Sequence, residues 1–466
     1  MSAGNGFDPT TAVRGQRVLV YSMGKEGADM AAWFAGQGAR VTMSDTRSED
    51  QLAAAKVRVP AGIDRVFSGQ PLLDAEGFSL VAVSQSILRH DPALTRARQL
   101  GIPITSQMRL FLQLCPGRTV GITGSSGKST TTSLVAAMAK AAGARAIVGG
   151  NLGEPLLGRL AEIDRDTTVI LEISHTQLQY TDRSPHVAAV TNITPNHLDQ
   201  FSWDEYVGLK RNILAFQGPR DTAVINADDP TSRSLLTGLK GYLAQSSLHG
   251  RILADGAWVD GETVWVRYGL NAKPVIAQAD IRLRGQHNLA NITMACAVAS
   301  AAGLPVSAMT EAAAAFTGVP HRLEVAGRRD GVTWVNDSIA TSPERTIAGL
   351  LAFDEPVVLL LGGRDKNLPL DRLQDVVRER CRAVVCFGEA GPLYFGALRA
   401  CAPAVELTGT LEDAVAIART LSRPGDAVLL SPAGTSFDAY PNFEARGEAF
   451  RALVAALPVA VAEVTS

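Results

Sequence analysis

Thr123–Thr130 has the residue types and the spacing of a loop that binds phosphate groups. It reads Thr-Gly-Ser-Ser-Gly-Lys-Ser-Thr, between an apolar run at Thr119–Thr123 that predicts a strand and a Thr-, Ala- and Met-rich run that predicts a helix. Glycines let backbone N–H groups face phosphate oxygens, and the helix N-terminus adds positive partial charge. The match is to the short Gly-x-x-Gly-Lys-Ser motif, since Ile122 stands where the longer motif has its first glycine. The alternative is a helix start that contains Gly-Lys-Ser by accident.

Within this loop, we expect Lys128 to reach the β- and γ-phosphates of a nucleoside triphosphate and Ser129 to offer its hydroxyl to Mg²⁺. The predicted phosphate-binding residues are Gly124, Ser125, Ser126, Gly127, Lys128, Ser129 and Thr130. Glu172 ends the apolar strand Val169–Leu171, and a carboxylate beside a phosphate loop suits a further ligand of Mg²⁺. A solvated acid at a strand end is the alternative.

Two other side chains could join this group. His197 follows the next predicted strand, His186–Ile193, and parallel strands bring their carboxyl ends to one edge of a sheet. A single histidine is otherwise more often structural than functional. Lys210 lies in the predicted helix Asp204–Ala215, where composition alone would make it a surface lysine.

The N-terminal region has the pattern of a nucleotide-binding βαβ unit. The predicted strand Arg17–Ser22 leads through the turn Gly24–Gly27 into a helix, and the strand Ala39–Met43 ends at Ser44–Arg47. An acid near the end of the second strand, about 20 residues after a glycine turn, is typical of such units. The glycine signature is incomplete because Ser22 replaces its first glycine, so glycines that only form a tight turn are the alternative.

Three polar loops follow predicted strands in the last third of the chain, at Asn336–Ser338, Gly362–Lys366 and Leu430–Ser436. Ligands of open α/β sheets bind at the carboxyl ends of the strands. The three loops together predict a pocket for a small polar substrate, whereas turn formation alone would explain any single one.

The composition of the chain and the order of its predicted elements indicate the fold that positions these loops. The 466 residues are 46% apolar and carry a net charge of −2, which indicates about three domains and gives no electrostatic case for nucleic acid or an anionic membrane as partner. Short apolar strands alternate with Ala-rich helical stretches, so we expect an α/β fold of parallel sheets covered by helices. No apolar run approaches the roughly 18 residues of a membrane span, and Met1–Gly15 is too polar for a signal peptide. We therefore expect a cytoplasmic protein, whose five irregularly spaced cysteines are free thiols.

These residues, in this order, resemble the Mur ligases over nearly the whole chain, from about Gly15 to about Leu457. No single block is specific, but the set is. The blocks are Thr123–Thr130, Gly149–Gly153, Leu171–Ser174, His197–Asp199, Asn226–Asp229, Gly285–Asn288, Pro320–Glu324, Asn336–Ser338 and Leu430–Ala433.

The resemblance implies Rossmann-like N- and C-terminal domains that flank a central P-loop ATPase-type domain. We expect residues 1–106 to hold a UDP-linked precursor, residues 107–318 to bind ATP and residues 319–466 to bind an amino acid. The resemblance implies addition of D-glutamate to UDP-N-acetylmuramoyl-L-alanine in peptidoglycan precursor synthesis. That reaction implies ATP, two Mg²⁺ ions and an acyl phosphate that the amine of glutamate attacks. We expect the protein to be a monomer.

The family also implies roles for single residues. Lys128, His197 and Lys210 are the predicted catalytic residues, and Lys210 matches a lysine that family members carbamylate, which would make it a metal ligand. Ser129 and Glu172 match the ligands of one Mg²⁺, and His197 matches a ligand of the other. The matching ATP contacts are Asn291, Arg322 and, for the ribose, Asp337. The matching contacts to precursor or glutamate are Asp45, Thr46, Arg47, Asn151, Ser174, Gln177, Thr341, Lys366, Ser436 and Phe443.

Three departures from the family pattern leave the substrate open. Ile339 replaces a lysine, and Ser174–Gln177 and Pro195–His197 differ from the usual Ser-Ser-Phe-Gln and Glu-Asp-His. Losing a cation near the reaction centre weakens stabilisation of a carboxylate or phosphate, so L-glutamate is an alternative to D-glutamate. Another Mur enzyme or a folylpolyglutamate-type ligase is a further alternative. A nicotinamide dehydrogenase and a non-catalytic nucleotide switch are the alternatives from other classes.

Overall fold

The computed structural model describes residues 13–49, 60–67, 77–195, 200–283, 285–366 and 368–458. The chain divides into two compact units, Met1–Phe316 and Thr317–Ser466. The first unit contains two sheets and the second unit contains one.

The first sheet has five parallel strands in the order β3-β2-β1-β4-β5. Its strands are β1 (Arg17–Tyr21), β2 (Arg40–Asp45), β3 (Asp64–Phe67), β4 (Leu80–Val83) and β5 (Ile104–Ser106). Its helices are α1 (Lys25–Gly36), α2 (Pro92–Gln99) and α3 (Gln107–Leu114). Strand order reverses direction at β1, so the segment after β1 and the segment after β4 face one crevice. The turn Gly24–Gly27 and Asp45 both lie at this carboxyl edge.

The second sheet has nine strands in the order β14-β13-β12-β11-β10-β9-β6-β8-β7. Its strands are β6 (Arg118–Thr123), β7 (Ala146–Gly150), β8 (Thr168–Glu172), β9 (Val187–Val190), β10 (Thr222–Asn226), β11 (Tyr242–Ser247), β12 (Asp255–Asp260), β13 (Thr263–Arg267) and β14 (Ala272–Ala277). Its helices are α4 (Lys128–Ala141), α5 (Trp203–Ala215), α6 (Pro230–Ser234), α7 (Gln286–Ala301) and α8 (Val306–Ala315). Strands β6 to β12 are parallel, and β13 and β14 form antiparallel pairs at one edge.

The third sheet, in the second unit, has six strands in the order β15-β16-β20-β17-β18-β19. Its strands are β15 (Glu324–Arg329), β16 (Val332–Asn336), β17 (Val357–Gly362), β18 (Cys381–Phe387), β19 (Ala404–Leu407) and β20 (Ala427–Ala433). Its helices are α9 (Pro343–Leu350), α10 (Asp371–Arg380), α11 (Gly391–Leu398), α12 (Leu411–Leu421) and α13 (Phe443–Ala456). Only β15 is antiparallel to its neighbour.

The central strands are apolar along their whole length because helices cover both faces of each parallel sheet. Every residue of β17, Val357–Gly362, is buried, and so is every residue of β9, Val187–Val190. The predicted α/β fold with parallel sheets is confirmed, while the predicted domain limits stay a prediction. All five cysteines are free thiols. No helix in the described parts of the chain is long and apolar enough to cross a membrane.

Candidate active site

The predicted phosphate loop is the turn between β6 and α4. Its two glycines have backbone angles in the left-handed region, with φ of 150° at Gly124 and 78° at Gly127. A Cβ atom at Gly124 would lie 1.9 Å from Thr191 Oγ1, and one at Gly127 would lie 2.2 Å from Asn291 Oδ1. Both positions therefore need glycine for conformation and for space, which a helix start formed by accident would not require.

Residues after the neighbouring strand β9 hold the loop in shape, and sequence analysis did not single them out. Thr191 Oγ1 donates to the carbonyl oxygen of Ser126 at 2.6 Å. The backbone N–H of Ser125 donates to the carbonyl oxygen of Asn192 at 2.8 Å, and the N–H of Ser126 to Asn192 Oδ1 at 3.0 Å. The signal that could have identified them is their position at the end of a strand that runs parallel to β6. The loop is thus preorganised before any ligand binds.

Lys128 and Ser129 form the first turn of α4. The ammonium group of Lys128 lies over the loop, where Nζ donates to the carbonyl oxygens of Gly124 at 2.9 Å and Ser125 at 3.2 Å. Ser129 and Thr130 are buried. An ammonium group held against this loop can neutralise the charge of a bound phosphate, which is the role predicted for Lys128 from the motif.

Glu172 ends β8 beside the loop, since it pairs with Ile122 of β6. Only 2% of this residue is exposed. Its Oε1 accepts a hydrogen bond from Asn151 Nδ2 at 2.7 Å, while its buried Oε2 has no hydrogen-bond partner among the described residues. A buried carboxylate oxygen without a donor is an unfavourable arrangement that a hard cation would relieve. The surroundings of Glu172 are therefore consistent with its predicted role as a ligand of Mg²⁺.

Lys210 projects from α5 to the end of β6 and is 1% exposed, which composition did not indicate. Its Nζ lies 3.3 Å from Thr123 Oγ1 and 5.1 Å from the centre of the Tyr206 ring. Burial, reinforced by the positive charge of Lys128, holds the pKa of the Lys210 ammonium well below its usual value, although Glu172 opposes the shift. A lysine with a lowered pKa has a larger fraction of the neutral, nucleophilic amine. His197, predicted to lie nearby, is outside the described residues.

The loop after β8 contains two predicted substrate contacts, Ser174 and Gln177, and both are buried. Ser174 Oγ donates to Gln85 Oε1 at 2.9 Å, and Gln177 Nε2 donates to Glu26 Oε1 at 2.9 Å. Their hydrogen bonds thus link the second sheet to the first. Their contact with substrate stays a prediction.

At the edge of the first sheet, Asp45 and Arg47 form a fixed pair. Arg47 donates from Nε to Asp45 Oδ1 at 2.9 Å and from Nη2 to Oδ2 at 2.8 Å, and Met23 N–H donates to Oδ2 at 2.7 Å. Burial alone would raise the pKa of Asp45, but these hydrogen bonds outweigh it and the pKa is lowered. Asp45 is therefore an ionised acceptor, and Thr46 beside it is exposed.

In the second unit, the three predicted polar loops do meet at one edge, because β16, β20 and β17 are adjacent and parallel. Lys366 Nζ donates to Thr341 Oγ1 at 3.2 Å, and burial lowers the pKa of Lys366. Ser338 Oγ donates to the carbonyl oxygen of Phe443 at 2.8 Å. Ser436 is buried. Lys366, Ser436 and Phe443, the residues predicted to surround the glutamate, thus come from neighbouring segments.

Arg446 was missed by sequence analysis although it connects two of these loops. It is fully buried, and its guanidinium donates to Ser338 Oγ at 3.0 Å, to Ser338 O at 2.9 Å and to Gly434 O at 3.2 Å. Burial lowers its pKa to about 10, so it stays a cation at neutral pH. The available signal was helical spacing, since Arg446 shares the inward face of α13 with Phe450 and Val454.

Asp337, the predicted ribose contact, is buried at the end of β16. Its Oδ2 accepts from Ser431 Oγ at 2.8 Å and its Oδ1 from the N–H of Leu323 at 3.2 Å. Burial raises the pKa of this carboxyl to about 7, although both hydrogen bonds act to lower it. The positive charge of Arg322, which is predicted to contact the nucleotide, attracts the Asp337 carboxylate and acts to lower its pKa. Asn291, in the first unit, lies against Gly127 of the phosphate loop.

We expect Asp337→Asn to remove a pH dependence of stability. The folded protein binds the Asp337 proton more tightly than the unfolded chain does, where the pKa is near the ordinary value of 3.8. The resulting stabilisation is complete below that value and is lost as the pH rises to about 7. The wild-type unfolding temperature should therefore fall relative to that of the variant between about pH 4 and pH 7, and the difference should be constant at higher pH. A difference that does not change over this range would contradict the prediction.

Comparisons with known proteins agree with this geometry. The Mur ligase middle domain matches residues 122–299, and the Mur ligase, glutamate ligase domain matches residues 321–434. The chain is 38% identical over 456 residues to the UDP-N-acetylmuramoylalanine–D-glutamate ligase of Symbiobacterium thermophilum, covering 95% of this chain and 98% of the relative. It is 37% identical over 451 residues to the protein of the same name from Clostridium novyi, covering 95% and 97%.

Solved structures show the shared fold. The UDP-N-acetylmuramate–alanine ligase of Thermotoga maritima is 17% identical and aligns with a TM-score of 0.53, covering 93% of this chain and 98% of that chain. The two family models and the near full-length relatives indicate the same family. The arrangement around the phosphate loop agrees with that assignment. The chain belongs to the Mur ligase family.

Proposed function

We propose that the protein adds D-glutamate to UDP-N-acetylmuramoyl-L-alanine and converts ATP to ADP and phosphate, a step of peptidoglycan precursor synthesis. One observation carries the proposal. Lys128 lies over a preorganised phosphate loop, Glu172 ends the neighbouring strand β8, and Lys210 reaches Thr123 at the end of β6. This arrangement suits transfer of a phosphoryl group to a carboxylate. The names of the relatives support the choice of substrates.

The reaction has two steps. The carboxylate of the L-alanine residue attacks the γ-phosphorus of ATP, the bond to the bridging oxygen breaks, and an acyl phosphate and ADP result. The amine of glutamate then attacks the acyl carbon, loses a proton, and the C–O bond to phosphate breaks to leave an amide. Catalysis rests mainly on positioning and on neutralising charge.

Individual residues of the first unit have distinct roles in this scheme. Lys128 and the backbone of the loop bind the phosphates and offset the charge that develops on the transferred group. Ser129 and Glu172 would hold Mg²⁺, which spreads the charge of the triphosphate. Lys210, whose lowered pKa leaves more of it as the free amine, would become a second anionic ligand if carbamylated. Asp45 and Arg47 provide a fixed acceptor and donors for the uracil.

Roles in the second unit follow from the three polar loops. Asp337 would accept from the ribose hydroxyls of ATP, and Lys366 would pair with a carboxylate of glutamate. The buried charge of Arg446 adds positive potential behind Ser338, on the edge of the sheet where Ile339 replaces the lysine of the usual family pattern.

The replacement at Ile339 makes L-glutamate the second candidate. We expect purified protein with ATP, Mg²⁺ and UDP-N-acetylmuramoyl-L-alanine to release phosphate with D-glutamate at least about tenfold faster than with L-glutamate, measured as initial rates. A preference for L-glutamate would favour the second candidate. Release with neither enantiomer would refute both and favour another carboxylate–amine ligase of the superfamily.

A further inference from the structure

Glu26, in the first turn of α1, is hydrogen-bonded to the loop that follows β8. Its Oε1 accepts from Gln177 Nε2 at 2.9 Å, and its Oε2 accepts from the backbone N–H of Gln85 at 2.8 Å. Both donors are uncharged amides. A carboxylate that accepts from two directions fixes the orientation of the Gln177 side chain.

Gln177 in turn closes the loop that begins two residues after Glu172. Gln177 Oε1 accepts from the N–H of Ser174 at 3.0 Å, and Ser174 Oγ accepts from the N–H of Gln177 at 3.1 Å. Ser174 Oγ also donates to Gln85 Oε1 at 2.9 Å. Because Gln177 is only 2% exposed, water cannot replace a lost bond there. The loop behind Glu172 is therefore held by a closed set of matched donors and acceptors.

Asp29, one turn further along α1, makes a corresponding contact behind Asn151. Its carboxylate accepts from the N–H of Leu157 at 3.0 Å and of Gly158 at 2.9 Å, in the segment that follows β7. Residues three apart share a helix face, so Glu26 and Asp29 point the same way. One face of α1 thus braces the segments after β7 and β8. Asn151 directly follows β7, Glu172 ends β8, and these two residues are hydrogen-bonded to each other.

We propose that Glu26 is a positioning residue for phosphoryl transfer, because by orienting Gln177 it holds the loop behind Glu172 in the arrangement that the reaction needs. This inference rests on the proposed function. A helix of the sheet expected to hold the precursor thereby sets the geometry of the ATP side. Displacements of about 1 Å in such a site reduce rates about a hundredfold, so a small shift of this loop is measurable.

Exchanging donor and acceptor between the two side chains tests the proposal. In Glu26→Gln, the amide oxygen can still accept from Gln85, but its NH₂ group faces the NH₂ of Gln177, and turning Gln177 moves the mismatch to the N–H of Ser174. In the double variant Glu26→Gln, Gln177→Glu, the amide at position 26 donates to the carboxylate at position 177. That carboxylate also accepts from Ser174, so every bond again has a donor and an acceptor.

We expect Glu26→Gln to lower kcat about tenfold and to raise the Mg²⁺ concentration for half-maximal activity, with the KM for glutamate unchanged. Hydrogen exchange in the protein without substrates should be faster at the amides of Ser174 and Gln177. The double variant should restore slow exchange at both amides. Glu412→Gln is the matched control, since Glu412 is also the second residue of its helix but is exposed, and it should change neither measurement.

An unchanged kcat in Glu26→Gln overturns the proposal, and so does hydrogen exchange in the double variant that is as fast as in the single one. If Glu26→Gln does not fold, Glu26→Asp takes its place. A folded Glu26→Asp with fast exchange at Ser174 and Gln177 but wild-type kcat shows a purely structural role and overturns the proposal. Exchange is measured without substrate, so it distinguishes failure of this inference from failure of the proposed function. The latter would appear as no phosphate release by the wild-type protein.

Discussion

Replacing Lys128 with alanine is expected to reduce kcat about a thousandfold or more, since charge on the transferred phosphoryl group would go unneutralised. In the structure the Lys128 ammonium lies above the loop, bonded to the carbonyl oxygens of Gly124 and Ser125. Bound ATP would bring phosphate oxygens within reach of the same group. The measurement is phosphate release with UDP-N-acetylmuramoyl-L-alanine and D-glutamate at saturating ATP.

Lys140→Ala provides the matched control, because Lys140 lies in the last turn of the same helix and is exposed. We expect its kcat to stay within about twofold of wild type. The unfolding temperature of Lys128→Ala should also stay close to that of wild type, which separates lost catalysis from lost folding. Ligation at the normal rate by Lys128→Ala would contradict the proposed role of the phosphate loop.

Glu172→Gln is expected to lower kcat about a hundredfold or more without destabilising the protein. The substitution keeps the size of the side chain and an oxygen for the Asn151 amide, but places an NH₂ group where the unpartnered Oε2 now lies. That group cannot bind a cation. A buried carboxylate oxygen without a donor is unfavourable, so replacing it should leave the unfolding temperature unchanged or raise it. Both quantities are followed over a Mg²⁺ titration.

Glu162→Gln serves as the comparison for a loss of one carboxylate, since Glu162 is exposed and forms an ion pair with Arg159 at the surface. Its activity should stay within about twofold of wild type at every Mg²⁺ concentration. If Glu172→Gln retained wild-type activity with an unchanged dependence on Mg²⁺, the assignment of Glu172 as a metal ligand would be wrong.

The phosphate loop was predictable because its determinants are local. A strand, two glycines, a Gly-Lys-Ser step and a helix follow one another within a short segment, and the structure shows that both Gly124 and Gly127 need positive φ. Glu172 was predictable for a similar reason, as an acid at the end of an apolar strand. The alternation of apolar strands and helices likewise indicated parallel sheets, since a strand buried on both faces must be apolar throughout.

The order of the strands in the sheet depends on contacts between segments that are distant in the sequence. The sequence contains no sign that β6 lies between β9 and β8, which places Thr191, Asn192 and Glu172 around one loop. Strands β7 and β11 were not predicted at all, because Ala146–Gly150 and Tyr242–Ser247 are only partly apolar. Their places in the sheet come from pairing with neighbours rather than from their own pattern.

By itself, the amino-acid sequence determined many of the strands and helices and the local form of the predicted phosphate loop, because periodicity and turn chemistry act between near neighbours. The tertiary structure alone decided that Lys210 is buried beside Thr123, that Arg446 connects two loops, and that Glu26 holds Gln177. The side-chain pairs Lys210–Thr123, Arg446–Ser338 and Glu26–Gln177 lie 87, 108 and 151 residues apart in the chain. Burial, and with it the lowered pKa of Lys210, exists only once distant segments pack together.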